Sequence, residues 1–260
     1  IGFDFYSPRE PDLSRLIKPA TRMIYTETPG SVTMELQDIA AIAETARRHG
    51  DILVACDNTW ASGFCYRPLE HGADLSIVAG TKYLGGHSDV LMGSVTATGK
   101  AYEVLHEASI LLGLAVSADD AALVLRGART LHIRYPAHAR RALVVAEWLA
   151  QRDEVAEVHY PPLPTSPDHA LWASRFDGAA GLFSVELSPA WRDRVSRFVD
   201  GLTLFGRGAS WGGFESLALP CSLKGNRSVD DWDGRGPLVR LQIGLEEPED
   251  LIADLARALD

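Results

Sequence analysis

The stretches Ile52-Leu53-Val54-Ala55-Cys56-Asp57 and Leu75-Ser76-Ile77-Val78-Ala79 decide the fold. Both are continuous apolar runs, which are typical of strands buried on both faces of a parallel sheet. Met23-Ile24-Tyr25 and the span from Gly93 to Thr98 are predicted to be further strands. The sequence therefore predicts an α/β fold: a mostly parallel sheet with helices on both faces.

Helical patterns separate and follow these strands. Thr33 is predicted to cap a helix that continues to about Arg48 and stops at Gly50. The span 118–149 is rich in Ala and Leu and is predicted to be helical, with Pro136 as a bend or break.

The composition changes after this helical span, which predicts a second and smaller unit. Strands are expected at 181–187 and 238–243, and helices at 190–199 and 249–259, with a loop in the middle. We predict a large domain over residues 1–128 and a smaller α+β C-terminal domain over residues 129–260.

Charge and cysteine content restrict the class of protein. The chain carries 25 basic and 35 acidic side chains, a formal net charge of −10, which argues against nucleic acid or an anionic membrane as a partner. No apolar stretch has the length of a membrane span, and the start lacks the pattern of a signal peptide. Three cysteines without a C-x-x-C pattern indicate a reduced, cytoplasmic location, with Cys56 as a core residue.

Asp57 and Lys82 are the first residues that could carry chemistry. Asp57 ends one predicted strand and Lys82 follows the next, so both are expected at the carboxyl edge of the sheet, where ligands bind. A lysine there could form a Schiff base with pyridoxal phosphate, with the acid on the pyridine nitrogen and Thr81 on the phosphate. On spacing alone, a surface lysine and a helix-capping aspartate are the favoured explanation, because such pairs are common.

Five motifs in a fixed order favour the functional interpretation. They are Glu27-Thr28-Pro29-Gly30-Ser31, Asp57-Asn58-Thr59-Trp60-Ala61, Gly80-Thr81-Lys82-Tyr83-Leu84-Gly85-Gly86-His87-Ser88-Asp89, Ser210-Trp211-Gly212-Gly213-Phe214-Glu215-Ser216 and Arg240-Leu241-Gln242-Ile243-Gly244-Leu245-Glu246. This series resembles the Cys/Met-metabolism family of PLP-dependent enzymes, and within it most closely the bacterial cystathionine β-lyases. The resemblance implies the aminotransferase-like fold of these enzymes, known as fold type I.

The resemblance also implies a role for each matched residue. Lys82 corresponds to the lysine that carries the cofactor, Asp57 to the partner of the pyridine nitrogen, and Thr81 to a phosphate contact. Ser31 falls where many relatives have an Asn near the cofactor. Ser210 corresponds to a serine beside the active lysine, Arg240 to the arginine that binds the substrate α-carboxylate, and Trp211 to a wall of the substrate pocket or a core residue.

The implied reaction is carbon–sulfur β-elimination from L-cystathionine, in a homotetramer. A cystathionine γ-synthase or γ-lyase, a cysteine-S-conjugate β-lyase, and a catalytically silent remnant or binding module stay open. The resemblance covers the C-terminal two thirds of the family. In relatives, the first third supplies a phosphate-binding turn and a tyrosine stacked on the cofactor, so we expect a fragment whose large domain is incomplete at its N-terminus.

Other motifs are weaker. Gly208-Ala209-Ser210-Trp211-Gly212 fits the hydrolase nucleophile elbow, but no histidine follows Ser210, as that class of enzyme requires. The span from Gly93 to Lys100 departs from the P-loop pattern. His87 and Asp89 offer two possible metal ligands without a third, so we expect no metal site there. The sequon at Asn226 has no secretory context, and we interpret it as chance.

Overall fold

The structure is a computed structural model that describes residues 1–10, 12–223, 227–229, 232 and 235–260; Asn226 of the sequon lies outside these residues. In the described part of the chain, the first sheet has four strands. They are β1 (Met23–Glu27), β2 (Leu53–Asp57), β3 (Leu75–Ala79) and β4 (Gly93–Ala97). Strands β1, β2 and β3 are parallel and β4 is antiparallel to β3, which confirms a mostly parallel sheet.

Helices cover both faces of this sheet. Helix α1 (Ile39–Arg48) packs on the face that carries Val54, whereas Ala101 of α2 (Gly99–Leu111) packs on the face that carries Ala55. Adjacent strand residues point to opposite faces, so the continuous apolar run of β2 supplies both cores. The α/β class is therefore confirmed.

The predicted start of α1 was wrong. The cap is Asp38 instead of Thr33, because its Oδ1 accepts from Ala40 N at 3.0 Å and Ala41 N at 3.4 Å. Val32 and Met34 have φ values of 70° and 55°, in the left-handed region, which a helix through these residues does not allow.

The long helical span divides into two helices, α3 (Ala118–Ala128) and α4 (Leu131–Leu149). Pro136 lies inside α4 without ending it, so of the two predicted effects the break was wrong and the bend stays a prediction. The helix continues because its later turns bury Ala142, Val145 and Ala146 in the core, and this packing outweighs one lost backbone hydrogen bond. The predicted boundary after residue 128 falls where α3 ends, and the division into two domains stays a prediction.

The second sheet lies in the C-terminal half. Its strands, in spatial order, are β5 (Val155–His159), β6 (Leu182–Leu187), β9 (Leu238–Gln242), β8 (Leu217–Cys221) and β7 (Gly206–Arg207). Helices α5 (His169–Arg175), α6 (Val195–Gly201) and α7 (Pro248–Leu259) accompany them. The helix predicted at 190–199 is instead a short 3₁₀ turn followed by α6, and strands β5, β7 and β8 were not predicted.

The two sheets share one hydrophobic core. Trp60, which follows β2, donates from Nε1 to the carbonyl of Leu182 in β6 at 2.9 Å. Cys56 is completely buried and unbonded to another cysteine, which confirms it as a core residue. Among the described residues, no helix has both the length and the apolar character needed to cross a membrane.

Candidate active site

Asp57 lies at the carboxyl edge of the first sheet. It is the last residue of β2 and pairs in register with Glu27, the last residue of β1. Its Oδ1 accepts from Thr59 N at 2.9 Å, which holds the turn after the strand. Within the described part of the chain, Oδ2 accepts no hydrogen bond, so this oxygen is available to a ligand.

Lys82 lies in the turn that follows β3, at the same edge. The turn is closed by Thr81, whose hydroxyl donates to Met92 O at 3.2 Å and accepts from Met92 N at 3.0 Å. Lys82 N donates to Ala79 O at 3.1 Å, which fixes the backbone of the lysine against the end of the strand. The hydroxyl of Thr81 thus has a structural partner, and its role as a phosphate contact stays a prediction.

The side chain of Lys82 reaches the loop of the second sheet. Its Nζ donates to Ser210 Oγ at 2.8 Å and lies 5.0 Å from the ring centroid of Trp211. Burial, assisted by the positive charge of Arg240, lowers the pKa of the Lys82 amine. The structure therefore brings together the predicted lysine, serine and tryptophan, and it makes the neutral, nucleophilic form of the amine more accessible.

Glycine at position 212 allows the two loops to meet. Gly212 has φ of 84°, and a Cβ there would lie 2.7 Å from Tyr83 N. Ser88 Oγ also donates to Glu215 Oε1 at 2.7 Å, across the same contact. The loop with Ser210 thus fits directly against the backbone that carries Lys82.

Glu246 holds the far end of the Ser210 loop. Its two carboxylate oxygens accept from Ser216 N and Ser216 Oγ, both at 2.8 Å. Sequence reasoning assigned no role to Glu246 or Glu215, although both stand inside quoted motifs. Their position in those motifs was the available signal.

Arg134 fastens the lysine turn from helix α4, and sequence reasoning missed it. Its Nη2 donates to Tyr83 O at 3.0 Å and to Gly127 O at 2.8 Å. Gly86 leaves the space for the guanidinium, because a Cβ there would lie 2.0 Å from Nη1 of Arg134. No motif that we recognised in the sequence marked this residue.

Arg240 lies in the middle of the second sheet, on β9 between β6 and β8. Its Nη2 donates to Ala209 O at 2.6 Å, beside Ser210. Among the described residues, no carboxylate forms an ion pair with it. Burial lowers the pKa of Arg240, while Cys221 and Glu27 oppose the shift. A half-buried guanidinium without a carboxylate partner suits the carboxylate of a ligand.

Ser31 caps the carboxylate of Glu27. Ser31 Oγ donates to Glu27 Oε1 at 2.5 Å, and Ser31 N donates to Oε2 at 3.1 Å. Burial raises the pKa of Glu27, and the nearby charge of Asp57 adds to the rise, against the two Ser31 bonds and Arg240. Ser31 therefore lies at the predicted edge, and its role toward a cofactor stays a prediction.

Other polar groups have structural explanations. His87 Nδ1 lies 2.7 Å from Gly85 O, as a hydrogen-bonding histidine would.

In the described ranges, Glu157, His159 and Glu186 bring ligand atoms within 4.8 Å of one another. Arg235 forms ion pairs with both of these carboxylates, so a guanidinium already offsets part of the negative charge of the cluster. Ser210 bonds to an amine and not to a histidine, unlike a hydrolase nucleophile.

The fold and the site define a class: α/β proteins that present a lysine amine, an aspartate and an unpaired arginine where two sheets meet. The family model described as "Cys/Met metabolism PLP-dependent enzyme" matches residues 3–260. The chain belongs to this family.

Relatives with different reactions match at similar levels. The chain is 49% identical to a cystathionine beta-lyase of Bordetella avium over 254 residues, which cover 96% of this chain and 63% of the relative. It is 43% identical to an L-alanine/L-glutamate racemase of Wolbachia pipientis, over 98% of this chain and 63% of that protein. The crystal structure of apo CalE6, a methionine gamma lyase from Micromonospora echinospora, superposes with a TM-score of 0.83 at 34% identity, over 93% of this chain and 66% of that one. The chain thus spans just under two thirds of the length of these relatives.

The residues present fit the cofactor of the family. An amine with a lowered pKa suits reaction with an aldehyde, the uncommitted oxygen of Asp57 suits a protonated ring nitrogen, and unpaired Arg240 suits a carboxylate. Pyridoxal phosphate is therefore the cofactor that this chemistry and the family both indicate.

Proposed function

We propose that this chain is the lysine-bearing part of a PLP-dependent carbon–sulfur β-lyase. The reaction is L-cystathionine plus water to homocysteine, pyruvate and ammonia. The observation that carries the proposal is the position of the Lys82 amine, 2.8 Å from Ser210 Oγ and in the electrostatic field of Arg240. Identity of 49% to a protein named cystathionine beta-lyase supports the choice of reaction.

Pyridoxal phosphate, when bound, supplies an aldehyde for the substrate amine and a ring that withdraws electrons from Cα. Lys82 Nζ takes the proton from substrate Cα as general base, because its lowered pKa leaves more of the amine neutral. Ser210 Oγ accepts the hydrogen bond that orients this amine toward the reacting carbon. After Cα is deprotonated, the Cβ–S bond breaks and its electron pair stays on sulfur, which takes from Lys82 the proton removed from Cα, so homocysteine leaves as the thiol. Water then hydrolyses the released aminoacrylate to pyruvate and ammonia.

Asp57 and Arg240 act at the two ends of the reacting group. Asp57 holds a proton at the ring nitrogen through Oδ2, the oxygen that accepts no hydrogen bond in the described part of the chain. Arg240 binds the substrate α-carboxylate with two parallel N–H groups, which keeps the Cα–H bond in a fixed orientation. The two roles need opposite charges at separate points, as this site provides.

A racemase is the second candidate function. The relative from Wolbachia pipientis named as a racemase is 43% identical to this chain over nearly its whole length. Removal of the Cα proton by Lys82 would serve both reactions; they differ in whether Cβ carries a leaving group or Cα is reprotonated. A γ-lyase, a γ-synthase and a cysteine-S-conjugate β-lyase also use the same amino-acid head.

Product analysis separates these functions. The chain is incubated with pyridoxal phosphate and L-cystathionine, and pyruvate, α-ketobutyrate and free thiol are measured. A β-lyase gives equal amounts of pyruvate and thiol, whereas γ-cleavage gives α-ketobutyrate. A racemase converts L-alanine or L-glutamate to the D-form. Lys82→Ala is the blank, and absence of every product from the unaltered chain would favour the silent remnant.

We also propose that the protein works in the cytoplasm as a homotetramer with a small amino-acid thioether as substrate. The family resemblance and the absence of disulfides among the three cysteines support this. Light scattering on the purified chain measures its mass, and a monomer at micromolar concentration would contradict the tetramer.

A further inference from the structure

Tyr83, the residue directly after Lys82, is anchored in the core by three polar contacts. Its hydroxyl donates to Gln242 Oε1 at 2.9 Å and accepts from Gly181 N at 2.8 Å. Its carbonyl accepts from Arg134. The side chain has no exposed area. The backbone at Lys82 thus cannot shift without disturbing a fully buried hydrogen-bonded group.

Gln242 receives this bond in one orientation only. Its Nε2 donates to Ile243 O at 2.9 Å, which leaves Oε1 as the acceptor for Tyr83. Because Gly181 N donates to the tyrosine oxygen, the tyrosine proton must go to Gln242. Each polar atom in this short chain of bonds therefore has a partner.

Gln242 and Arg240 are two residues apart on β9. Alternate residues of a strand point to the same face, and their Cα atoms are about 6.6 Å apart. The bond from Tyr83 to Gln242 therefore connects the residue next to Lys82, the proposed base, to the strand that carries Arg240. Arg240 is the residue proposed to bind the substrate carboxylate. It spans 159 positions of sequence and joins the lysine turn to the second sheet.

We infer that Tyr83 and Gln242 are a positioning pair that fixes the Lys82 amine relative to the Arg240 guanidinium. The pair touches no substrate; it acts through the two residues that do. This inference rests on the proposed function for its catalytic consequence, since the amine and the guanidinium are proposed to act on the same amino-acid head. The geometric part stands on the described contacts alone.

The test measures the Lys82 amine without cofactor or substrate. Competitive labelling with trace acetic anhydride, read by mass spectrometry, gives the pH midpoint at which Lys82 becomes reactive, with exposed Lys100 as internal reference. The charged groups at this edge, near the Lys82 amine, are the cation Arg240 on β9 and the anions Asp57 and Glu27. Tyr83→Phe should let the amine move from Arg240 toward water, and the midpoint should rise by about half a unit, roughly a threefold loss of neutral amine at lower pH.

Tyr160→Phe is the matched control. Tyr160 is equally buried and donates to Ala180 O at 2.7 Å in the same core, but it is not adjacent to Lys82. It should lower the melting temperature without moving the Lys82 midpoint. An equal shift in both variants, or no shift in Tyr83→Phe, would overturn the inference.

Gln242→Met and the double variant separate position from stability. Gln242→Met leaves a buried hydroxyl without its acceptor, so it should unfold most easily, and Tyr83→Phe added to it should recover stability. The inference expects the double variant to keep the raised Lys82 midpoint despite this recovery. If the midpoint returns to that of the unaltered chain together with stability, the pair has no positioning role.

Turnover provides the last readout. In a chain that is active with pyridoxal phosphate, Tyr83→Phe should lower kcat about tenfold and change KM much less. The reason is that a small misalignment of the base slows proton transfer more than it weakens substrate binding. If the unaltered chain does not turn over any of the candidate substrates, the proposed function fails while the labelling result still decides the inference.

Discussion

Lys82 Nζ donates a hydrogen bond of 2.8 Å to Ser210 Oγ, although 128 positions separate the two residues. The bond crosses from the edge of the first sheet to the loop that precedes β8. It is possible because hydrogen bonds hold both loops in place, Thr81 with Met92 on one side and Ser216 with Glu246 on the other. The candidate active site is thus a property of the contact between the two sheets.

Gly212→Ala should lower the free energy of unfolding by more than the strain of a positive φ alone would. Gly63→Ala is the matched control, because Gly63 has φ of 65° and no atom within 4 Å of an added Cβ. Both variants should lose about 1 kcal/mol of unfolding free energy from the backbone, and Gly212→Ala about 1–3 kcal/mol more from its clash with Lys82 and Tyr83. Urea unfolding measures the difference, and equal losses would contradict the close contact.

Arg240→Gln should raise the pKa of Lys82. Arg240 lowers that pKa through like-charge repulsion, second to burial, so removing the guanidinium favours the ammonium form. The pH midpoint of Lys82 acetylation should move upward, and kcat/KM for cystathionine should fall most, because the α-carboxylate loses its partner. Arg207→Gln, an exposed arginine paired with Asp200, should change neither. A midpoint unchanged in Arg240→Gln would place the guanidinium away from the amine.

Asp57→Asn should lower kcat by at least about 100-fold, the scale of a lost acid–base group. The amide retains the shape of the side chain and its acceptor for Thr59 N, but it has no charge to hold a proton at the ring nitrogen. Steady-state kinetics with cystathionine measures the effect, with exposed Asp51→Asn as the control. Near-normal kcat would remove Asp57 from the proposed role.

His138 should make the fold sensitive to mild acid. It is fully buried, its Nδ1 donates to Ile243 O at 2.8 Å, and burial lowers its pKa to about 4. Between about pH 6.5 and 4, the unfolded chain binds a proton at this residue and the folded chain does not, so stability falls as pH falls through that window. The loss reaches about 3 kcal/mol at the low end.

His138→Gln should flatten this pH dependence even though it lowers stability at pH 7. Urea unfolding at pH 7 and pH 5 measures how much unfolding free energy the unaltered chain and the variant each lose between these two pH values. His132→Gln, an exposed histidine on the same helix, should leave the pH dependence intact. The account of His138 fails if both variants lose stability with pH as the unaltered chain does.

The sequence predicted what local patterns encode. Continuous apolar runs predicted β2 and β3, and the ends of those runs predicted that Asp57 and Lys82 share one edge. Strand β8 was not predicted because Pro220 argues against a strand. The proline is tolerated there because β7 pairs only with Leu217 and Ala218 and forms no ladder with Pro220. The cap of α1 was misplaced because the left-handed residues Val32 and Met34 have no signal in the sequence.

Contacts between distant segments were beyond sequence reasoning. The bond from Tyr83 to Gln242 and the clamp of Arg134 on the lysine turn depend on how the two sheets meet, which no periodicity encodes. Ser210 and Arg240 could be assigned only through motif resemblance. Their common neighbourhood with Lys82 is a result of the three-dimensional structure.

The most direct test of the account is the site at which pyridoxal phosphate attaches. The sequence contains four lysines, Lys18, Lys82, Lys100 and Lys224. The chain is mixed with an equimolar amount of pyridoxal phosphate, reduced with borohydride, digested and analysed by mass spectrometry. The account predicts a phosphopyridoxyl group on Lys82 alone. Label spread over the other three lysines, with Lys82 unmodified, would contradict it.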